Sequence, residues 1–248
     1  MNRSGFAIAI AVGMAACGGS SVTSETSVAE VLGVPEGFPL PIIADDNPPT
    51  EAKIALGRHL FYDVRLSENQ TQSCSSCHTQ ERAFADDVAV SLGSTGEALA
   101  RNSPTLTNVA YNATQTWANP LLRTLEEQHR VPIFNETPIE LGAAGHDDEI
   151  LARFADDARY QDLFDAAFPE DPTVTFDHIV KALASFSRTL ISGDSAFDRY
   201  VYGGDKNAMS ASALRGLGCS SPTNVLFNAT IVMEALTFQS RPFTKVQN

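Results

Sequence analysis

The sequence has few basic residues. Lys and Arg number 17 against 30 Asp and Glu, which gives a formal net charge of −13 over 248 residues. Proteins that bind nucleic acids need basic patches against the phosphates, so this balance argues against such a partner. It would suit a basic electron donor or a basic protein substrate, and an acidic surface that is simply solvated explains it equally well.

The sequence also lacks an apolar run long enough to cross a membrane, which takes about 20 residues. The apolar run Phe6–Val12 is short, follows the segment Met1–Arg3 and precedes small residues. This is the form of an export signal, and the Met-Ala-Ala-Cys sequence ending at Cys17 is similar to a bacterial lipobox. We therefore predict a periplasmic or cell-envelope protein with a lipid anchor on Cys17, and cleavage near Ala16 without lipidation is the alternative.

Cysteine is scarce, with four residues in the chain. Residues 74–78 read Cys-Ser-Ser-Cys-His, the spacing of c-type haem attachment. The thiols of Cys74 and Cys77 would add to the two haem vinyl groups, and His78 would ligate the iron. A zinc site would need a second pair of ligands at matching spacing, and a thioredoxin-like dithiol would need a βαβ context; the sequence offers neither. It therefore predicts one covalent haem c and leaves Cys219 unpaired.

Apolar periodicity predicts a mainly α protein, because no segment alternates convincingly as a strand would. The proline-rich stretch 35–49 is expected to be an extended arm, and residues 132–145 a loop. The expected helices are residues 51–62 behind an N-cap at Thr50, residues 122–130, one capped by Asp147 or Asp148, one marked by Tyr160 and Phe164, one from Thr175 to a stop at Ser192–Gly193, and one from Ser210 to Leu217.

Several motifs follow one another in an order typical of one family. They are residues 60–67 (Leu-Phe-Tyr-Asp-Val-Arg-Leu-Ser), 74–78, 101–104 (Arg-Asn-Ser-Pro), 125–128 (Leu-Glu-Glu-Gln) and 138–142 (Pro-Ile-Glu-Leu-Gly). Together they resemble the bacterial di-haem cytochrome c peroxidase/MauG family, and residues 45–48, 117–120 and 198–205 are most similar to its MbnH-type branch. The resemblance implies cytochrome c-like helical domains, with a peroxide-reactive N-terminal haem and an electron-relaying C-terminal haem.

The same resemblance implies roles for individual residues. It makes His78 the proximal ligand of the peroxide-reactive iron, Glu140 the distal carboxylate that handles protons, Gln128 and Pro132 distal-pocket residues, Trp117 an electron or hole relay between the haems, and Asn102 a calcium ligand. A carboxyl group buried over a haem suits the proposed chemistry, because cleavage of peroxide needs a base whose pKa is raised towards neutrality.

Two departures from the family pattern matter. Loop 91–101 has no histidine, which predicts an open distal site that needs no reductive activation. The second Cys-x-x-Cys-His, expected shortly after Leu217, is absent. If the codons of residues 218–230 are translated in the frame that starts at each third base, they permit a Cys and a following Cys-His, with three residues between the two cysteines. This suggests a frameshift near Gly218. We therefore expect a signal at 1–17, a linker and arm at 18–49, a haem domain with the start of a truncated second domain at 50–218, and an out-of-frame tail at 219–248.

The predicted function is a periplasmic haem peroxidase or oxidase. It would reduce hydrogen peroxide with electrons from a small cytochrome or cupredoxin, or by oxidising a residue of a partner protein as MauG-like enzymes do. One alternative is a mono-haem electron carrier, whose sixth iron ligand would have to be His59, Met209 or Met233. The other is an inactive truncated fragment.

Overall fold

The structure, a computed structural model, describes residues 26–116 and 119–220. The predicted signal with Cys17, the relay Trp117, Met233 and residues 221–248 lie outside these ranges. The helices are α1 (Val28–Leu32), α2 (Glu51–Tyr62), α3 (Cys74–Cys77), α4 (Leu125–Phe134), α5 (Asp147–Ala155), α6 (Ala158–Ala167), α7 (Phe176–Ser187), α8 (Ala196–Val201) and α9 (Ala211–Ser220), with 3₁₀ turns at Val64–Leu66, Gln80–Arg82 and Val109–Tyr111.

The described ranges contain no strand, only isolated β-bridges, which confirms the predicted mainly α class. None of their helices is long and apolar enough to cross a membrane. Two long helices begin where the sequence predicts. Thr50 caps α2 and Thr175 caps α7, each through a side-chain oxygen that accepts a backbone N–H of the first turn.

The helix α4 differs from the expectation at both ends. It covers Leu125–Phe134 and not 122–130, so Pro132 lies inside the helix and not in the following loop. A capping box of Thr124 and Glu127 fixes its start. Pro132 removes one helical hydrogen bond, but its carbonyl accepts the N–H of Leu141 at 2.9 Å, which ties the turn to the segment that follows.

The start of α5 and the predicted linker also need correction. Neither Asp147 nor Asp148 is the N-cap of α5. His146 holds that position without a side-chain hydrogen bond, and both aspartates lie in the first turn, where they complement the helix dipole. The stretch 18–49 contains the short helix α1, because Ser27 forms a capping box there that the sequence analysis overlooked.

The ends of α7 and α9 differ from the prediction as well. α7 ends at Ser187 and not at Ser192–Gly193, so Leu190 packs on the core from beyond the helix. The residue directly after α7 is Arg188, whose side chain points into the protein and is 1 % exposed. Its burial holds the chain in place where the helix ends. α9 extends beyond Leu217 to Ser220.

The core is organised around the crossing of α2 and α7. Leu56, Leu60 and Phe61 on α2 are fully buried, as are Ile179 and Leu183 on α7. The two backbones approach so closely at Gly57 that a Cβ there would lie 2.0 Å from the carbonyl oxygen of Ala182. This crossing leaves Phe61 at the wall of the cavity described below.

A buried ion pair fastens the N-terminal arm to the helices. The Arg188 guanidinium donates to both carboxylate oxygens of Glu126 at 2.8 and 2.9 Å, and its Nε donates to the carbonyl of Ile42 at 3.0 Å. Asn47, fully buried, donates to Glu126 at 2.6 Å and to the carbonyl of Lys181 at 2.9 Å. Because these groups satisfy one another, the arm is held against α4 and α7 without an unpaired buried charge.

Candidate functional site

One cavity, of about 620 Å³, opens between α3, α4 and the loops that follow α3. It brings together seven of the eight predicted site residues, namely Cys74, Cys77, His78, Asn102, Gln128, Pro132 and Glu140. Its walls are otherwise largely apolar, with Phe61, Leu106 and Leu125 among them. A cavity of this size with a few convergent polar groups is typical of a cofactor site.

The imidazole of His78 is oriented by the backbone. Its Nδ1 lies 2.9 Å from the carbonyl oxygen of Phe84, an acceptor only, so Nδ1 carries the proton and donates to it. The lone pair is therefore on Nε2, the atom left for a metal. Burial lowers the pKa of His78, which keeps the ring neutral as a ligand must be.

The two thiols lie beside this histidine on α3, which is a single turn of helix. Neither Cys74 nor Cys77 forms a disulfide. Burial raises the pKa of Cys74 to about 12 and also raises the pKa of Cys77, so neither is a thiolate at neutral pH. This argues against the low-pKa dithiol of a thioredoxin-like site. The described residues also hold no group of three or more His, Cys, Asp or Glu side chains that could bind a metal ion.

The carboxyl group of Glu140 faces the same cavity. Burial raises its pKa, and no group in the described part of the chain hydrogen-bonds to its carboxyl oxygens. Its backbone is fixed from loop 91–101. The N–H of Ser94 donates to the Glu140 carbonyl at 2.8 Å, and a Cβ on Gly93 would lie 1.9 Å from the carbonyl oxygen of Ile139. Neither the hydrogen bond from Ser94 nor the close approach at Gly93 could be predicted from apolar periodicity or motif spacing.

Gln128 and Pro132 reach the cavity from successive turns of α4. The Oε1 atom of Gln128 is buried and has no hydrogen-bond partner within the described ranges. An unpaired buried amide oxygen is costly, so its presence at a cavity wall points to a group that would donate to it. Pro132 adds an apolar surface without an N–H beside it.

The other predicted positions behave differently. Asn102 lies at the cavity wall and is exposed, and its role as a calcium ligand stays a prediction. Neither His59 nor Met209 lines the cavity, so neither is placed to be a sixth iron ligand. Loop 91–101, whose sequence has no histidine, contributes wall residues.

A second histidine in the cavity wall, His129, was missed by the sequence analysis. Its Nε2 lies 3.0 Å from the hydroxyl of Ser187 on α7, and burial lowers its pKa to about 4. It is therefore a neutral hydrogen-bonding residue between α4 and α7. The helical spacing of Leu125, His129 and Pro132 placed it on the inward face, and that periodicity was the available signal.

Comparisons with known proteins agree with this site. The family model described as di-haem cytochrome c peroxidase matches residues 51–207. The chain belongs to the di-haem cytochrome c peroxidase family. It is 34 % identical over 190 residues to the methylamine utilization protein MauG of Methylophilus methylotrophus, covering 77 % of this chain and 54 % of that protein. It is 35 % identical to the cytochrome c551 peroxidase of Pseudomonas aeruginosa, covering 71 % of this chain and 51 % of that protein.

Solved structures of the same family are similar too. A MauG-like protein associated with microbial copper homeostasis matches with a TM-score of 0.70 and 46 % identity, over 74 % of this chain and 53 % of that one. The diheme peroxidase BthA from Burkholderia thailandensis matches in fold, with a TM-score of 0.57 and 24 % identity, over 69 % of this chain and 46 % of that one. The chain spans about half the length of these relatives.

Proposed function

We propose that this chain carries the peroxide-reactive haem domain of a periplasmic c-type haem peroxidase or oxidase. The observation that carries the proposal is the orientation of His78, whose Nε2 is left free by the 2.9 Å hydrogen bond from Nδ1 to Phe84. It lies in one cavity with the two attachment thiols and with Glu140. The family relationship supports the same chemistry.

The residues present fit a covalent haem c. When bound, the haem would supply an iron that binds and reduces hydrogen peroxide. Cys74 and Cys77 would hold it through thioethers, and His78 would be its proximal ligand. Because the Phe84 carbonyl accepts a hydrogen bond from Nδ1, the neutral His78 ring keeps its lone pair on Nε2.

Glu140 would manage the protons of the reaction. As a carboxylate it would accept a proton from bound peroxide, and as a carboxylic acid it would return that proton to the oxygen that leaves as water. Its raised pKa brings these two forms closer in energy at neutral pH than an exposed carboxylate allows. The Gln128 amide can accept a hydrogen bond from peroxide through its unpaired Oε1.

Two sources of electrons fit the proposal, and one is favoured. A small cytochrome or cupredoxin could donate them, or a residue of a partner protein could be oxidised. The absence of a histidine in loop 91–101, together with 46 % identity to a MauG-like protein, favours oxidation of a protein partner. Calcium at Asn102, relay through Trp117 and a lipid anchor at Cys17 remain parts of this proposal.

The first experiment counts covalent haems on the protein expressed from its own gene. Intact mass should show at least one haem, and the double variant Cys74→Ala/Cys77→Ala should show none from this motif. Cys219→Ala is the matched control and should keep the full count, because Cys219 is exposed and lies outside the cavity. Two haems on a longer chain would support the out-of-frame interpretation of residues 219–248.

The haem-loaded protein is then mixed with hydrogen peroxide. A rapid change of the haem spectrum, followed by oxidation of reduced cytochrome c or of a protein partner, is the expected result. A low-spin spectrum that peroxide does not alter would overturn the proposal in favour of a mono-haem electron carrier.

A further inference from the structure

A second pocket, of about 330 Å³, opens between the C-terminal end of α2 and the start of α6. It is lined by His59, Tyr62, Asp63, Val64, Arg65, Asp157, Arg159 and Tyr160. None of these residues lines the 620 Å³ cavity. The surface pocket is therefore a separate feature, and the proposed peroxide chemistry does not use it.

Two consecutive residues line the two spaces, one each. Phe61 lines the large cavity and is fully buried, whereas Tyr62 lines the surface pocket and is 42 % exposed. Their rings are in edge contact, with centroids 5.2 Å apart and planes at 71°. An electron leaving the Tyr62 ring thus has only one aromatic ring to cross before it reaches the large cavity.

Tyr62 is also the tyrosine of this pocket that is exposed and in ring contact with Phe61, whereas the ring of Tyr160 contacts Phe154. The Tyr62 hydroxyl donates to Oε1 of Gln80 at 3.2 Å at the surface, so the phenolic proton can leave to water when the electron leaves. The other tyrosine of the pocket, Tyr160, is buried, and the Arg65 guanidinium lies 5.1 Å from its ring centroid. A cation over the ring opposes removal of an electron from it.

The two guanidiniums and two carboxylates that line the pocket balance in number but are paired unequally. The Arg65 guanidinium is paired with Asp63 at 2.8 Å and with Asp157 at 3.0 Å. The Arg159 guanidinium contacts the ring of His59, at 3.2 Å from Nε2, and no carboxylate of the described residues lies within ion-pair distance of it. Arg159 is therefore free to bind a carboxylate or sulfonate, although the chain as a whole is acidic.

We propose that this surface pocket is a second substrate site, in which small anionic aromatic reductants bind Arg159 and give up single electrons through Tyr62. The proposal rests on the function proposed above, because hydrogen peroxide is the oxidant. Peroxide takes two electrons and two protons and leaves as two waters. Tyr62 supplies one electron through its contact with Phe61 and loses its phenolic proton to water. The bound reductant then returns one electron to Tyr62, which regains a proton, and a second reductant repeats the cycle.

The test uses the full, haem-loaded chain with the dianionic aromatic reductant ABTS and hydrogen peroxide. Tyr62→Phe should lower kcat for ABTS by about tenfold or more, the loss expected when a required oxidisable side chain is removed. Arg159→Gln should raise KM for ABTS by about tenfold, the loss of one charge-assisted contact, and leave kcat unchanged. KM for the neutral phenol guaiacol should not change in Arg159→Gln.

Two further measurements make the result specific. After mixing with peroxide alone, an electron paramagnetic resonance signal of a tyrosyl radical should appear and should be absent in Tyr62→Phe. Tyr111→Phe is the matched control, since Tyr111 lines neither pocket, and it should keep both the signal and the ABTS kinetics. A wild-type haem spectrum that peroxide leaves unchanged would overturn both proposals. A normal peroxide reaction with unaltered ABTS kinetics and an unaltered radical signal in Tyr62→Phe would overturn this site alone.

Discussion

Glu140 is placed where activity and stability make opposite demands. Burial raises its pKa above the ordinary 4.5, and no hydrogen bond from the described residues stabilises its carboxylate. Between pH 4.5 and the raised value, the folded protein retains a proton that the unfolded chain has released. The free energy of unfolding therefore falls as pH rises through this interval, and the cost is complete above it. A buried polar group that lowers stability in this way is common at active sites.

The first prediction concerns the rate of reaction with peroxide. The rate should rise with pH as Glu140 ionises, with a midpoint above 4.5. Glu140→Gln should lower the rate by about 10²–10⁴-fold and remove this pH dependence, because the base is lost. The same variant should raise the melting temperature at neutral pH. Stopped-flow spectroscopy and thermal melts of the haem-loaded protein measure both effects.

Glu136→Gln is the control for this prediction. Glu136 lies in the same segment but is exposed and does not line the cavity. It should leave the rate, its pH profile and the melting temperature unchanged. Equal losses in the two variants would show that Glu140 acts only through general charge.

Among the helices, α2 and α7 pack so closely where they cross that no side-chain atom fits between their backbones at Gly57. Gly57→Ala would place a methyl group 2.0 Å from the Ala182 carbonyl oxygen, a backbone atom that a side-chain rotation cannot move. We expect the free energy of unfolding to fall by about 1–3 kcal/mol or more, as for overpacked cores. Urea unfolding followed by circular dichroism measures the change.

Gly218→Ala in α9 is the matched control. It is the same substitution in a helix, but nothing lies within 4 Å of the added methyl group. Since alanine is the better helix former, it should stabilise α9 by about 0.5–1 kcal/mol. A neutral Gly57→Ala would contradict the close approach of the two helices.

The helices also show how far the sequence predicts structure. The helices α2 and α7 begin at the predicted residue because their threonine N-caps and apolar stripes agree. Other boundaries depend on distant contacts. Pro132 stays helical with its carbonyl bonded to Leu141, and Arg188 ends α7 while its side chain pairs with Glu126. The residue pattern of a single helix does not indicate which distant residues it will contact.

The same limit applies to the candidate site. The motif residues, from Cys74 to Glu140, could be predicted to converge because their order resembles a known family. The groups that orient them could not. The Phe84 carbonyl behind His78 and the Gly93 approach to Ile139 are backbone features, which no side-chain motif encodes.

At the scale of the whole molecule, the net charge of −13 should govern the encounter with a donor. With reduced horse cytochrome c as a basic probe, the initial rate of peroxide-dependent oxidation should fall severalfold between about 10 mM and about 150 mM salt. Over that range the screening length shortens from about 30 Å to about 8 Å. The donor-free reaction with peroxide is the control and should not change. A donor rate independent of salt would exclude electrostatic steering.

The attachment of the arm to α7 also implies an order of events during maturation. The Arg188–Ile42 and Asn47–Lys181 hydrogen bonds join residues 146 and 134 positions apart. When the chain is synthesised or exported with its N-terminus first, these hydrogen bonds cannot form until residue 188 has appeared. Cys74 and Cys77 appear much earlier. The thiols are therefore accessible to a large, flat group while the domain is still open. We therefore expect attachment of the proposed haem to precede closure of the chain around it.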